Sequence, residues 1–210
     1  MPAKTRSTHS LPYHHGDLRY ALIQAGLELL AEGGAQALDL RKVARRAGVS
    51  HAAPYRHFAD KQTLIAAITE EGFHWLADQI QAAVHDTSNG PFAELLAVAH
   101  AYVSFAEAHP WLMREMFSSV TIERETYESL QTASKAVYRL YVDMIRRGQE
   151  RGEIIDGDPA ALAGVYWAVL HGLATLIIDG QMGPYADGPE GSGWVTHYTL
   201  EVLYGGLARR

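Results

Sequence analysis

A chain of 210 residues with 48% hydrophobic and 20% charged side chains has the composition of a globular protein of one or two domains, which excludes wholesale disorder and a collagen-like repeat. The absence of cysteine removes disulfides, thiolate metal sites and a Cys nucleophile together. The net charge of −6 is uneven: up to position 58, eight Lys and Arg stand against four Asp and Glu, so this end carries +4 and the remainder −10. A basic end on an acidic body is the pattern expected when only that end meets a polyanion. The first twenty residues hold no apolar run resembling a signal peptide, and a cytoplasmic location is expected.

In chain order the dominant period is helical. Leu18, Leu22, Ala25 and Leu29 repeat at steps of four, three and four, and Gly33-Gly34 predicts a stop. Asp39 is placed to cap a short helix carrying Leu40, Val43, Ala44 and Ala47, which Gly48 breaks. Ser50 then opens a third, brief helix over His51 to His57, and Asp60 caps a fourth that runs to about His85. After the Ser88-Asn89-Gly90-Pro91 loop, the spacing predicts helices from Phe92 to Ala108, around Trp111 to Ser118, and from about Ile122 to Arg151. Asp158-Pro159 starts a helix ending near Gly180, and a Gly- and Pro-rich loop precedes the last helix, Trp194 to Leu207. No alternating strand pattern is present, so the expected fold is all-α.

Pro159 to Ile178 is long and uncharged enough to span a bilayer. Tyr166, His171, Gly172 and Thr175 lie within it, and Asp rather than Lys or Arg flanks it, so burial between helices or between subunits is expected and a membrane partner is not.

Function is concentrated in residues 39–58, DLRKVARRAGVSHAAPYRHF. Two short helices around a Gly-Val-Ser turn can cross steeply, so that the second projects and enters a major groove. Arg41, Lys42, Arg45, Arg46, His51, Tyr55, Arg56 and His57 then face outward as donors to phosphates and base edges. Arg45 and Arg46 sit on the first helix of the pair, where a solvated face is the more frequent reading. Tyr13, His14 and His15 lead into the first helix and either approach DNA or form a polar lead-in. Adjacent histidines without spaced carboxylates do not make a metal site, and neither a metal nor another cofactor is expected.

This stretch resembles the DNA-binding domain of TetR-type transcriptional regulators, from about Gly16 through the fourth helix, with GVSHAAPYRHFADKQTL its most specific part. The remainder is similar to the variant whose carboxy-terminal domain carries a Trp-His-Gly signature, here Trp167, His171 and Gly172 in YWAVLHGLA. The resemblance implies an amino-terminal helix-turn-helix three-helix domain (1–60) followed by a larger helical bundle (61–210) that binds ligand and dimerises. It implies a cytoplasmic homodimer on double-stranded, palindromic operator DNA, acting as a repressor and responding to a small-molecule effector. By the same resemblance Ser50, His51, Ala52 and Ala53 face bases, Tyr55, His57 and Lys61 grip phosphates, and Arg41 holds the flank. Pro54 departs from the commoner pattern: it lacks an N–H and disfavours αR at Ala53, so the helix is expected to start at Pro54 itself.

In the body, Tyr102, Phe105, Trp111, Met116, Phe117, Tyr138, Tyr141, Trp167 and His171 are candidates for the wall of an effector pocket. The imidazole of His171 needs a partner on its uncharged helix, either a neighbouring hydroxyl or carbonyl or a ligand. The apolar side of that helix, with Gly164, Val165, Ala168 and Leu173, is expected to pair with Val195, Tyr198 and Val202 of the last helix in a dimer interface. No catalytic motif is present, so no enzyme activity is expected; the alternative is a helical small-molecule-binding or metal-dependent enzyme with an incidental basic end.

Overall fold

A computed structural model describes residues 15–85, 90–118, 126–183, 186 and 191–207. They form eight α-helices and one short 3₁₀ turn, with no β-strand among the described residues. The helices are α1 His15–Ala37, α2 Leu40–Arg46, α3 Lys61–His85, α4 Pro91–Ala108, α5 Pro110–Phe117, α6 Glu128–Glu150, α7 Pro159–Ile178 and α8 Gly191–Leu207; the 3₁₀ turn is Pro54–Arg56.

Most boundaries follow the local chemistry. Asp39 Oδ1 accepts from the N–H of Arg41 and Lys42, at 2.8 and 3.2 Å, and starts α2. Asp60 accepts from the N–H and hydroxyl of Thr63 at 2.8 and 2.9 Å, and these bonds hold its pKa below the usual aspartate value. Asp158 accepts from Ala160 N at 3.0 Å ahead of Pro159. Two starts differ from expectation: α6 begins at Glu128 rather than near Ile122, which lies outside the described residues, and α8 begins at Gly191 rather than Trp194.

α1, α2 and the 3₁₀ turn make the amino-terminal head. Its core is Leu22, Leu30, Leu38, Val43, Ala44 and Phe58, and burying a ring such as Phe58 contributes roughly 1.5–3 kcal/mol. α3 packs on α1 and also on α4 and α6, so one continuous cluster of buried apolar residues runs from the head into the body. α7 lies against α4 and α6 and buries Ala163, Tyr166, Leu170, Leu173 and Ala174. It is long and apolar enough to cross a membrane, with a mean hydropathy of 1.8, yet these five residues are enclosed by protein. At the end of α6, Glu94 is almost fully buried and is held by Arg147 and Arg151, which supply the charge a desolvated carboxylate requires.

Candidate functional site

The turn after α2 is built by hydrogen bonds that terminate a helix. Gly48 has φ +69, its N–H donates to Arg45 O at 3.2 Å, and Val49 N–H donates to Ala44 O at 2.9 Å. This is the Schellman pair, and it needs a residue that accepts positive φ at Gly48. Val49 is packed against the core and sets the angle at which the chain leaves α2.

The segment beyond corrects two expectations. Ser50 does not cap a helix over His51 to His57; residues 50–53 close as a turn, Ala53 N–H donating to Ser50 O at 3.0 Å, and only Pro54–Arg56 is helical, as a 3₁₀ turn with Ala53 at its N-cap. Ala53 keeps αR geometry, φ −62 and ψ −44, despite the following proline. Two hydrogen bonds hold it there, its own N–H to Ser50 O and Arg56 N–H to Ala53 O at 3.2 Å. Pro54 and Phe58 are buried and pin this segment to the head.

Arg41, Lys42, Ser50, His51, Ala52, Tyr55 and Arg56 are exposed, whereas Ala53, His57 and Lys61 are half-buried. Tyr55 is 52% exposed. Arg46 stays on the exposed face of α2, with ion-pair partners on α1. Its guanidinium reaches back to α1, 3.0 Å from Glu28 and 2.8 and 2.9 Å from the two oxygens of Glu32, and these bonds, Glu28 first, raise its pKa. It ties α2 to α1. Tyr13 and His14 lie outside the described residues.

In the body, a cavity of about 200 Å³ opens between α3, α5, α6 and α7, lined by Phe73, Phe117, Ser134, Lys135, Val137, Tyr138, Tyr141 and Trp167. Of the expected wall residues, Phe117, Tyr138, Tyr141 and Trp167 are therefore in place. Phe105 and Met116 are instead core, with 0% and 1% exposure, because helical periodicity turns them toward neighbouring helices. Trp111 is 42% exposed and lies over Gly34 at the end of the head, outside the cavity. His171 lies behind the wall: Nδ1 is 3.0 Å from the Tyr102 hydroxyl, and its ring is 4.5 Å from that of Phe117. Burial lowers the pKa of His171, which favours the neutral ring, and Nδ1 and the Tyr102 hydroxyl share a hydrogen bond. Tyr102 is buried too, which raises its pKa, the Trp167 side chain acting in the opposite direction. Phe73, Ser134, Lys135 and Val137 went unnoticed in sequence, although 134, 138 and 141 share one face of α6 at helical spacing.

The expected dimer surface divides. Val165, Ala168, Tyr198 and Val202 face out, Val202 with 65% exposure, and Leu176 and Trp194 join them. Leu173 and Val195 are buried within the chain's own core instead, and the bare side of Gly164 faces Tyr138, whose hydroxyl would sit 3.4 Å from a Cβ and donates to Ala160 O at 2.6 Å. Gly172, unlike Trp167 and His171, is on the exposed side of α7.

The model for "Bacterial regulatory proteins, tetR family" matches residues 22–68, and that for "Tetracyclin repressor-like, C-terminal domain" matches residues 95–192. A solved protein of unknown function from Rhodococcus sp. RHA1 is 36% identical, over 94% of this chain and 99% of its own, with a TM-score of 0.81. The fold is also that of FadR from Bacillus subtilis in complex with stearoyl-CoA, at 18% identity over 89% of this chain and 98% of that one, with a TM-score of 0.72. The uncharacterised HTH-type transcriptional regulator YvkB of Bacillus subtilis is 21% identical over 72% of this chain and 78% of its own length. A helix-turn-helix head joined through α3 to an all-helical body, matched by both family models, identifies the chain as a DNA-binding transcriptional regulator of the TetR family.

Proposed function

We propose that this chain is a homodimeric repressor that binds a palindromic operator through residues 1–60 and releases it when a small molecule enters the cavity in residues 61–210. The observation that carries the reading is that α3 belongs to both parts: Leu64 and Ile68 pack under Gly26 of α1, while Phe73 lines the cavity. A ligand pressing on Phe73 thereby acts on the helix that supports the head, and it alters DNA affinity to the extent that it prefers one position of that helix. α5 offers a parallel connection, with Phe117 in the cavity wall and Trp111 against Gly34.

Arg41, Lys42, Arg56 and Lys61 supply the phosphate contacts, with Tyr55 and His57 beside them. Ser50, His51, Ala52 and Ala53 lie closest to the bases. Ala52 and Ala53 offer only methyl contact, so His51 and the shape of the groove carry most of the sequence readout. The exposed apolar residues of α7 and α8 form the two-fold contact that sets two heads about 34 Å apart on successive major grooves. FadR, solved with stearoyl-CoA, is a protein of this fold that holds a ligand. The protein works in the cytoplasm, where the operator is, as a regulator rather than an enzyme.

Selection of bound sequences from a random DNA pool tests binding, symmetry and spacing together. The expected result is a palindrome with half-sites one helical turn apart. Recovery of no enriched sequence at moderate salt would sink the reading.

A further inference from the structure

The inference rests on the reading of the head as the DNA-binding surface and adds to it a contact from the second turn of α1. That helix has an outer and an inner end. Along it the neighbours change in order: the guanidinium of Arg19 lies over the ring of Phe58, 5.7 Å from its centre, Gly26 lies against Leu64 and Ile68 of α3, and Gly34 meets Trp111 of the body. α1 and α3 therefore start side by side, at the end of the head that carries the Pro54–Arg56 turn, and run from there toward the body. Arg19 stands at the outer end. It shares Phe58 with His57, whose ring centre is 6.4 Å from that of Phe58, and Lys61 opens α3 at the same end.

The charges of α1 are divided in the same way. Glu28 and Glu32, nearer the body, are engaged by Arg46. Arg19 is exposed and has no carboxylate partner among the described residues. The Phe58 ring attracts the cation through its quadrupole and offers no oxygen, so the contact steadies the side chain and leaves the N–H donors of the guanidinium available. Those donors form a fork that matches two phosphate oxygens, and a fork already held in place loses less freedom on binding. The platform is firm: Phe58 is 1% exposed, and its N–H donates to Pro54 O at 2.9 Å, which ties it to the segment that follows the turn.

We propose that Arg19 is a phosphate-binding residue of the head, held over Phe58 so that its guanidinium clamps the DNA backbone at the flank of residues 50–58.

Fluorescence anisotropy of the full-length protein with a labelled random-sequence DNA duplex, over a series of salt concentrations, tests it. Non-specific binding depends on phosphate contacts and requires no knowledge of the operator. Arg19→Gln keeps a side chain over Phe58 without the charge. The slope of log K against log[salt] then becomes shallower by about 0.9 for each head on the DNA, and affinity at low salt falls about tenfold. Arg19→Lys keeps the charge and loses the fork, so the slope stays as in the wild type while affinity falls severalfold. A purely structural Arg19 gives another pattern, in which both variants lower the melting temperature and neither alters the slope. An unchanged slope in Arg19→Gln, or a slope in Arg19→Lys as shallow as in Arg19→Gln, overturns the proposal. Lys61→Ala is the reference. If it flattens the slope and Arg19→Gln does not, this inference alone falls; if the wild-type protein shows no salt-dependent binding to the duplex, the DNA-binding reading of the head falls with it.

Discussion

The Trp111 indole of α5 occupies the space that a side chain on Gly34 would need: its Cε3 lies 2.9 Å from where a Cβ would stand. α1 breaks at this point, with Gly33 extended and Gly34 at φ +66 and ψ −168. Trp111 is in turn covered by the guanidinium of Arg114, 5.2 Å from its ring, and Arg114 is paired at 2.6 Å with Asp179 at the end of α7. The end of the head thus rests on a short helix that is also tied to α7.

Gly34→Ala meets two obstacles, a backbone conformation costing about 1–3 kcal/mol for an L-residue and the indole in the way. For a chain of this size that corresponds to a fall of roughly 2–12 °C in melting temperature. Trp111→Ala in the same chain removes the steric part alone, so the two changes are not additive. Thermal unfolding of the four proteins reads this directly; simple additivity would show that the contact has no energetic weight.

Salt dependence separates phosphate contacts from internal ties. Lys61→Ala weakens binding to operator and to random DNA alike and reduces the slope of log K against log[salt] by about 0.9. Tyr55→Phe weakens binding with the slope unchanged, because a neutral hydroxyl releases no counterion. Arg46→Ala also leaves the slope unchanged, since its charge is engaged by Glu28 and Glu32. A flatter slope for Arg46→Ala would place that side chain on DNA.

Acid is expected to destabilise this protein through its half-buried histidines. Burial lowers the pKa of His171 and His109, and of His100, where His197 adds to the effect. A histidine whose folded pKa lies below 6.5 takes up its proton more readily in the unfolded chain. Stability is therefore complete above about pH 6.5 as far as these groups are concerned and declines as the pH falls from there toward their folded values. His171→Asn lessens the decline. Melting curves between about pH 5 and 8 test the sign, and a melting temperature that rises on acidification contradicts it.

The outward faces of α7 and α8 predict the oligomer. Val165→Glu with Val202→Glu yields monomers by sedimentation velocity and collapses operator affinity while the fold persists. Leu173→Ala instead costs about 2–5 kcal/mol of stability, because Leu173 is buried within its own chain. Dimers that survive both glutamates would move the interface elsewhere.

The caps and stops were legible in sequence wherever one residue settles a local conformation: Asp39 and Asp60 as caps, Gly48 with its positive φ, and Asp158-Pro159 ahead of α7. The cavity was legible only in half. Phe105 and Phe117 look alike in a list of aromatic residues, but Phe105 is enclosed by its neighbours and Phe117 faces a gap. Periodicity identifies an apolar face and does not say what covers it. Lys135 and Ser134 were missed because polar residues on a helix ordinarily read as solvated surface. The exposed face of Arg46 was legible but its ion-pair partners were not, since they are 14 and 18 residues away and appear only once α1 and α2 cross.

What the sequence determined by itself is where helices start and stop and which end is basic, because caps, turns and charge act over a few residues. What tertiary structure decided is which rings enclose space and which cation is already engaged. Those depend on how distant helices meet, and the distances between helices are set by the packing of the whole interior.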